Sequence, residues 1–542
     1  MRHIVCVAVA ALLSLEAASQ DASVLRAALY LSGASSIEEV DQDWIERLEG
    51  MVFKVRVNSE RLRPGILTEY QIAALADYRA TSGDILSWEE LMLVDGFGRE
   101  AVEALQPFLS LESRRLPGAV GSPRIRAEAL ARTTLKQVGV KAKVSGENWR
   151  VGGAWRNPDW TAHAEADTRW GRLVLGDFNV RYGEGLAQWS GFSMESLSTV
   201  DAFIRRSTGI SPVWSYTSSS VHRGLAYEYG GRHWRASAWG TLALAFGTRG
   251  EYSGRWGQVG GTLAWSRSNG LSGSADARLN LRGADYTAEA AWRKRSVAGK
   301  ASARWKAGSQ GKWALQARVV PSQFSGKKNG EYGLAAGYAL SSGRWVPLAG
   351  RTGFGSSVPF YKLSITLDGA LLPVGGVDPR RLQVRGYLNF DWQVFSAWSL
   401  SLRLTERYRN YEPPRTDFRA DVRFAHGPWL SVLRGEAVRC KSWGLLTYLE
   451  GGYKNEVLST YLRFSAFRIP EWADRIYCYE RDAPGTFSVP AYSGTGLSGS
   501  VVAGYKLRLW RLTFKANLRA AYMLRVGRAP TPTLNFQLQC TY

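Results

Sequence analysis

Leu534-Asn535-Phe536-Gln537-Leu538-Gln539-Cys540-Thr541-Tyr542 alternates apolar and polar side chains up to a final aromatic. Successive side chains of a β-strand point to opposite faces, so this segment has one greasy face and one wet face. The same alternation recurs along residues 124–533, with hardly a helical pattern to pack against it. Lipid is the simplest solvent for so many apolar faces. Unpaired backbone groups in hydrocarbon cost several kcal/mol each, so strands cross a membrane only as a closed barrel without a free edge. The expected fold is mainly β: a large transmembrane antiparallel β-barrel over residues 124–542, preceded by a small all-α domain.

Other segments indicate which face is which. Leu382, Val384, Leu388 and Phe390 alternate with Gln383, Arg385, Asn389 and Asp391, and Leu400, Leu402 and Leu404 with Ser401, Arg403 and Thr405. Phe418, Ala420 and Val422 oppose Arg419, Asp421 and Arg423, while Leu512, Phe514, Ala516 and Leu518 oppose Arg511, Thr513, Lys515, Asn517 and Arg519. An Arg or Lys facing lipid at mid-membrane costs about 2–4 kcal/mol, so the charged faces are expected to line the lumen. Candidate lumen residues are Arg385, Asp391, Arg403, Arg419, Asp421, Arg423, Lys515 and Arg519. They fit either a cross-strand salt-bridge lattice or a pore whose positive potential attracts anions. Gly230-Gly231, Asn269-Gly270 and Asn329-Gly330 mark hairpin turns, and the strand-like runs number roughly 18 to 22. The 22 Trp and 24 Tyr would supply girdles at the two membrane surfaces.

Charge divides the chain. The whole carries +22, yet residues 20–112 hold seventeen acidic against eight basic side chains, a net −9 before a strongly basic remainder. Met1-Arg2-His3, the apolar run Ile4 to Leu15 and Ala17-Ala18-Ser19 have the layout of a secretory signal, with cleavage expected after Ser19. Arg114 to Gly118 mark a linker, placed at 113–123. Cys440, Cys478 and Cys540, odd in number and widely spaced, offer neither a disulfide framework nor a zinc pair. They are read as small apolar side chains with at most one bridge, and no metal or cofactor is expected.

The acidic segment is helical in pattern. Ser36-Ile37-Glu38-Glu39 has the form of a capping box opening a helix through Trp44, Ile45 and Leu48. Further on, Gly65-Ile66-Leu67 precedes the run ending Asp77-Tyr78-Arg79, and Gly96-Phe97-Gly98 joins two short helical runs. Over about fifty residues this segment resembles the tandem helix-hairpin-helix module of competence DNA receptors. Gly96, Phe97 and Gly98 match the second hairpin fully; Gly65 keeps the first glycine of the other, where Leu67 replaces the second. The resemblance implies backbone N–H groups able to hold a phosphate at a helix N-terminus. Phosphate binding, however, draws most of its strength from Lys and Arg, and a net −9 points instead to a protein-facing or structural module.

Gly176 to Phe192, running on to Arg223-Gly224, and Asp474 to Tyr492 break the strand rhythm. They are read as turn and loop structure or as an inward-folded plug. Both resemble segments of outer-membrane proteins of Bacteroidota-type bacteria that join a helix-hairpin-helix head to a large barrel, and with the head that likeness covers nearly the whole chain. Two dinucleotide-like patterns, at Gly96 and at Gly494, lack the strand-turn-helix setting and are set aside. His163, His222, His233 and His426 sit in no catalytic or zinc spacing. The expectation is a non-enzymatic outer-membrane barrel in transport or envelope assembly, its partners lipid and a periplasmic protein docked by a periplasmic head. A DNA-uptake protein and a secreted all-β adhesin are the alternatives.

Overall fold

The computed structural model describes residues 20–542 apart from 52, 60–61, 113–124, 147, 192–195, 217–220, 232, 255, 309, 327–329, 343–359, 373–380, 396 and 485. The signal and linker expected at 1–19 and 113–123 lie outside the described residues. Strands from Arg126–Thr134 to Arg528–Thr541 form a closed antiparallel barrel. Closure joins the two ends of the sheet, with Leu538 opposite Ala131 and Cys540 opposite Ala129. Twenty-four strands make the wall. Gly209–Pro212 is extra: it pairs beside the upper part of Gly171–Arg181, which also pairs directly with His222–Gly230.

The count exceeds the 18 to 22 expected, and the reason lies in the turns. Many hairpins close in two or three residues without an Asn-Gly or Gly-Gly signal. Lys294 and Arg295, at φ 49° and 63°, and Arg282-Gly283, at 53° and 77°, adopt the left-handed backbone of primed turns. With ordinary side chains at those positions, neighbouring strands run together in the sequence pattern.

Alternation along each strand sorts the faces. On Arg528–Thr541, Leu534, Phe536 and Leu538 are exposed whereas Asn535 and Gln537 are buried. Outward tryptophans form two belts. Trp149, Trp234, Trp313, Trp398 and Trp429 lie near one rim, and Trp155, Trp160, Trp265, Trp292 and Trp443 near the other, all of them exposed. From Trp256 to Trp265 the strand rises about 30 Å at about 3.3 Å per residue. At a tilt of about 40° that spans about 23 Å, close to the height of a lipid-facing apolar band.

An even number of antiparallel strands brings the start of Arg126–Thr134 and the end of Arg528–Thr541 to one rim. The two long insertions, 182–221 and 470–493, both leave from the opposite rim.

Helices Gln20–Ser32, Gln42–Glu49, Glu69–Ser82, Trp88–Leu93 and Arg99–Leu105 pack around Leu31, Trp44, Leu48, Leu67, Leu75, Leu91 and Leu105. Thr68 and Gln71 form a reciprocal capping box, Thr68 Oγ1 accepting from Gln71 N–H and Gln71 Oε1 from Thr68 N–H. The box expected at Ser36 is absent. Ile37–Glu39 is a single 3-10 turn, the helix starts at Gln42, and the Ser36 side chain makes no cap bond. Glu38 and Glu39 turn to the wall instead. The head, expected as a periplasmic domain of residues 20–112, is in contact with the wall. Its residues bond to wall strands lying far apart around the circumference, at Lys143, Arg181, Lys312, Arg403 and Arg434, so it occupies the bore.

Candidate functional site

The head meets the wall through carboxylates. Glu38, 9% exposed, receives Arg434 Nη1 at 2.7 Å on one oxygen and Arg419 Nη1 at 2.9 Å on the other. Tyr479 N–H of the second insertion donates to the same carboxylate at 3.2 Å. Burial by itself would raise its pKa, but Arg419 and Arg434 hold it well below the usual carboxylate value. Glu39 pairs with Arg403, whose other nitrogen donates to Ser36 Oγ at 2.7 Å. Asp43 pairs with Arg181. Glu100 lies 3.6 Å from Lys312 and 3.3 Å from Lys362. Strand alternation puts each of these cations on the inward face; residues 38–43 supply the counter-charge of the arginines and Glu100 that of the two lysines.

Both insertions fold inward and complete the plug. The wall carboxylate Glu289 accepts backbone N–H bonds from Glu184, Leu186 and Ala187 at 2.7, 3.1 and 3.1 Å. Glycine is required beside it, since Gly183 has φ +59° and a Cβ there would stand 2.8 Å from Glu289 Oε2. Phe203 packs on Ala314, Ala335 and Ala339 of the wall. The head joins this insertion as Ser198 Oγ donates to Glu39, Arg206 to the Ile66 carbonyl and Ser207 to Glu69. In the second insertion, Asp474 accepts from Cys440, Lys441 and Ser442 N–H and from Ser442 Oγ. Those bonds hold its pKa below the usual value against the opposing effect of burial.

The candidate residues fall into three groups. Arg403, Arg419 and Asp421 belong to the head contact, Asp421 bridging Arg419 at 2.6 Å and Arg434 at 2.5 Å. Arg519 pairs with Glu480 and, at 3.3 Å, with Asp482 of the second insertion, and Lys515 lines a small cavity with Glu46 and Glu49. Arg385, Asp391 and Arg423 stand apart: Asp391 accepts from Ser401 Oγ, Arg385 lies opposite Arg407, and Arg423 makes no ion pair among the described residues. Gly96 has φ +77° and a Cβ there would strike the Tyr70 ring; Phe97 is buried, and Gly98 precedes Arg99–Leu105. Gly65 faces Arg47. His163 and His233 each bond a backbone carbonyl through Nδ1 and do not meet. The three cysteines are free, so no bridge forms among them.

Nothing in their local sequence marks Glu38, Glu39, Arg181, Arg434 and Glu289 as site residues. The opposite charge of head and body is the one signal that points to them. Besides the small cavity at Lys515, the packed bore holds cavities of about 590, 390 and 380 Å³, each lined jointly by head or insertion and by wall.

No protein-family model and no curated protein matches the sequence. Among solved structures, the outer membrane protein opdK from Pseudomonas aeruginosa is 10% identical, with 77% of this chain and 99% of that one covered at a TM-score of 0.27. The P pilus usher (PapC) translocation pore is 9% identical over 77% and 98%, TM-score 0.26. The ferric-catecholate import receptor Fiu from E. coli K12, open form, is 10% identical over 78% and 82%, TM-score 0.32. Likeness at these scores carries no weight for substrate or partner.

Proposed function

We propose that this chain is a non-enzymatic outer-membrane barrel, closed at rest by its own acidic N-terminal segment and acting as a gated conduit in transport or envelope assembly. The ion pairs of Glu38, Glu39 and Asp43 with Arg434, Arg419, Arg403 and Arg181 carry this reading. A bore meant to stand open would keep its basic face hydrated; here the chain's own carboxylates neutralise it. The two exposed Trp belts support a bilayer setting over a secreted adhesin, whose apolar outer face would have to meet water.

We read the rim holding both ends of the sheet as periplasmic, because the long insertions leave from the other rim, where outer-membrane barrels carry their longer loops. An export signal in residues 1–19 and a source among Bacteroidota-type bacteria belong to the same reading. The helices Trp88–Leu93 and Arg99–Leu105 about Gly96-Phe97-Gly98 we take as a helix-hairpin-helix kept as scaffold. Exposed Leu86 and Leu93, set among Asp84, Glu89, Asp95 and Glu103, offer a periplasmic protein a docking face. DNA binding is disfavoured, since Glu100 puts a carboxylate in the first turn of the helix at the phosphate-holding position.

Planar-bilayer recording tests the proposal. The intact protein is expected to be nearly silent, Glu38→Gln/Glu39→Gln to flicker open, and a chain lacking residues 20–112 to conduct steadily. A large ohmic conductance from the intact protein, or silence from the deletion, counts against it.

A further inference from the structure

The cavity of about 390 Å³ between head and wall is lined by the cations Arg47, Lys143, Arg150, Arg172 and Arg181, which outnumber the carboxylates Asp43 and Glu46, with Thr208 and Ser211 supplying hydroxyls. Its size suits a small solute. The cations divide into those already matched and one that is not. Arg172 serves Glu165 and Glu228, Arg150 serves Glu165, Arg181 serves Asp43, and Lys143 reaches Glu128 and the Gly50 carbonyl. The Arg47 side chain, contributed by Gln42–Glu49, makes no hydrogen bond and no ion pair among the described residues and lies over the Trp44 ring at 5.6 Å. Enclosure, with Arg181 and Arg172 close by, draws its guanidinium down to about 10 against the opposing pull of Asp43 and Glu228. Asp43 and Glu228 act on it only at a distance, and a planar fork of five donors with no protein acceptor is free to take a ligand from the cavity.

We infer that this cavity is a binding site for a small oxyanion, a solute bearing a phosphate or carboxylate group, with Arg47 as its principal ligand. The planar fork takes two oxygens of such a group at once, and Thr208 Oγ1, buried and without a partner, is a further polar group in the same lining. Because Gln42–Glu49 follows directly on the turn carrying Glu38 and Glu39, an anion on Arg47 would bind the plug more firmly to the wall. This deepens the gated-conduit reading by naming the class of solute its closed state holds, yet binding can be measured in protein that does not conduct.

The test uses full-length protein in detergent, titrated with inorganic phosphate and with acetate against chloride at matched ionic strength, read by calorimetry and by melting temperature. Phosphate or acetate is expected to bind and raise the melting temperature of the intact protein. Arg47→Gln should weaken binding at least about tenfold, while Arg99→Gln, on the exposed head surface, leaves it unchanged. Without added oxyanion, Arg47→Gln should melt no lower than the parent, because it removes an unmatched charge. Loss of stability in that ligand-free comparison, equal binding by Arg47→Gln and the parent, or no binding of either anion overturns the inference. The first would mark a structural arginine, the second adventitious binding elsewhere in a basic barrel.

Discussion

Glu38 joins three parts of the chain that are distant in sequence: the head turn, wall strands at Arg419 and Arg434, and the second insertion at Tyr479. Removing Glu38 leaves Arg419 and Arg434 to share the one carboxylate of Asp421, and breaking a buried pair costs about 3 kcal/mol or more. Glu38→Ala is therefore expected to lower the heat-modifiability temperature on a gel, whereas Glu103→Ala, which pairs with exposed Arg99, should leave it unchanged. A second single-residue constraint sits at Gly176, where the wall strand bends with φ +98° and a Cβ would fall 2.2 Å from the Ala162 carbonyl oxygen. Gly176→Ala should destabilise the barrel by about 2 kcal/mol, measured by the same shift. An unchanged Gly176→Ala protein would mean that this backbone relaxes freely.

Beside their side-chain contacts to head and wall, each insertion is held by one carboxylate caught by several backbone N–H groups. Glu289 holds the turn of residues 183–187, and Asp474 ties the second insertion to the hairpin turn 440–442. Glu289→Ala should leave the wall intact while hydrogen exchange at residues 183–187 accelerates strongly. Asp474→Ala should do the same for the second insertion and not for the first. Exchange rising equally in both would show that the insertions come loose as one body. The strand Arg528–Thr541 provides the matching test of the outer face. Leu538→Arg puts a charge where lipid is expected, costing about 2–4 kcal/mol near mid-membrane, and should reduce membrane insertion. Gln537→Arg, one residue away but inward, should insert normally.

For the whole molecule, closure of the bore is an electrostatic fit between an acidic insert and a basic wall. Its acid sensitivity follows from Glu38, whose pKa is held down by Arg419 and Arg434 despite burial. A carboxylate lowered on folding stabilises the folded arrangement above its unfolded value, about 4.3, and loses that contribution as pH falls through the lowered one. The intact protein is thus expected to stay closed from pH 7 to about pH 4 and to gain conductance only in stronger acid. Opening between pH 7 and pH 5 would place the controlling group elsewhere.

Much of this was written in local pattern. The period-2 alternation of Leu534–Tyr542, and of the Leu382 and Leu512 stretches, was enough to specify strands with one apolar and one charged face, because a side chain's face depends only on its parity along the strand. Charge asymmetry likewise belonged to the sequence, and so did the irregularity at Gly183-Glu184-Gly185. Strand number was beyond it, since turns such as Lys294-Arg295 adopt positive φ through the pull of paired neighbours and not through a residue preference. Ser36-Ile37-Glu38-Glu39 shows the limit most clearly. As an isolated string it favours a capping box worth about 1 kcal/mol, but closure of the barrel brings Arg403, Arg419 and Arg434 to meet those glutamates, and buried ion pairs outweigh a cap. Local periodicity determined the wall; only the closed tertiary structure, by bringing residues hundreds apart within 3 Å, decided that the head fills it.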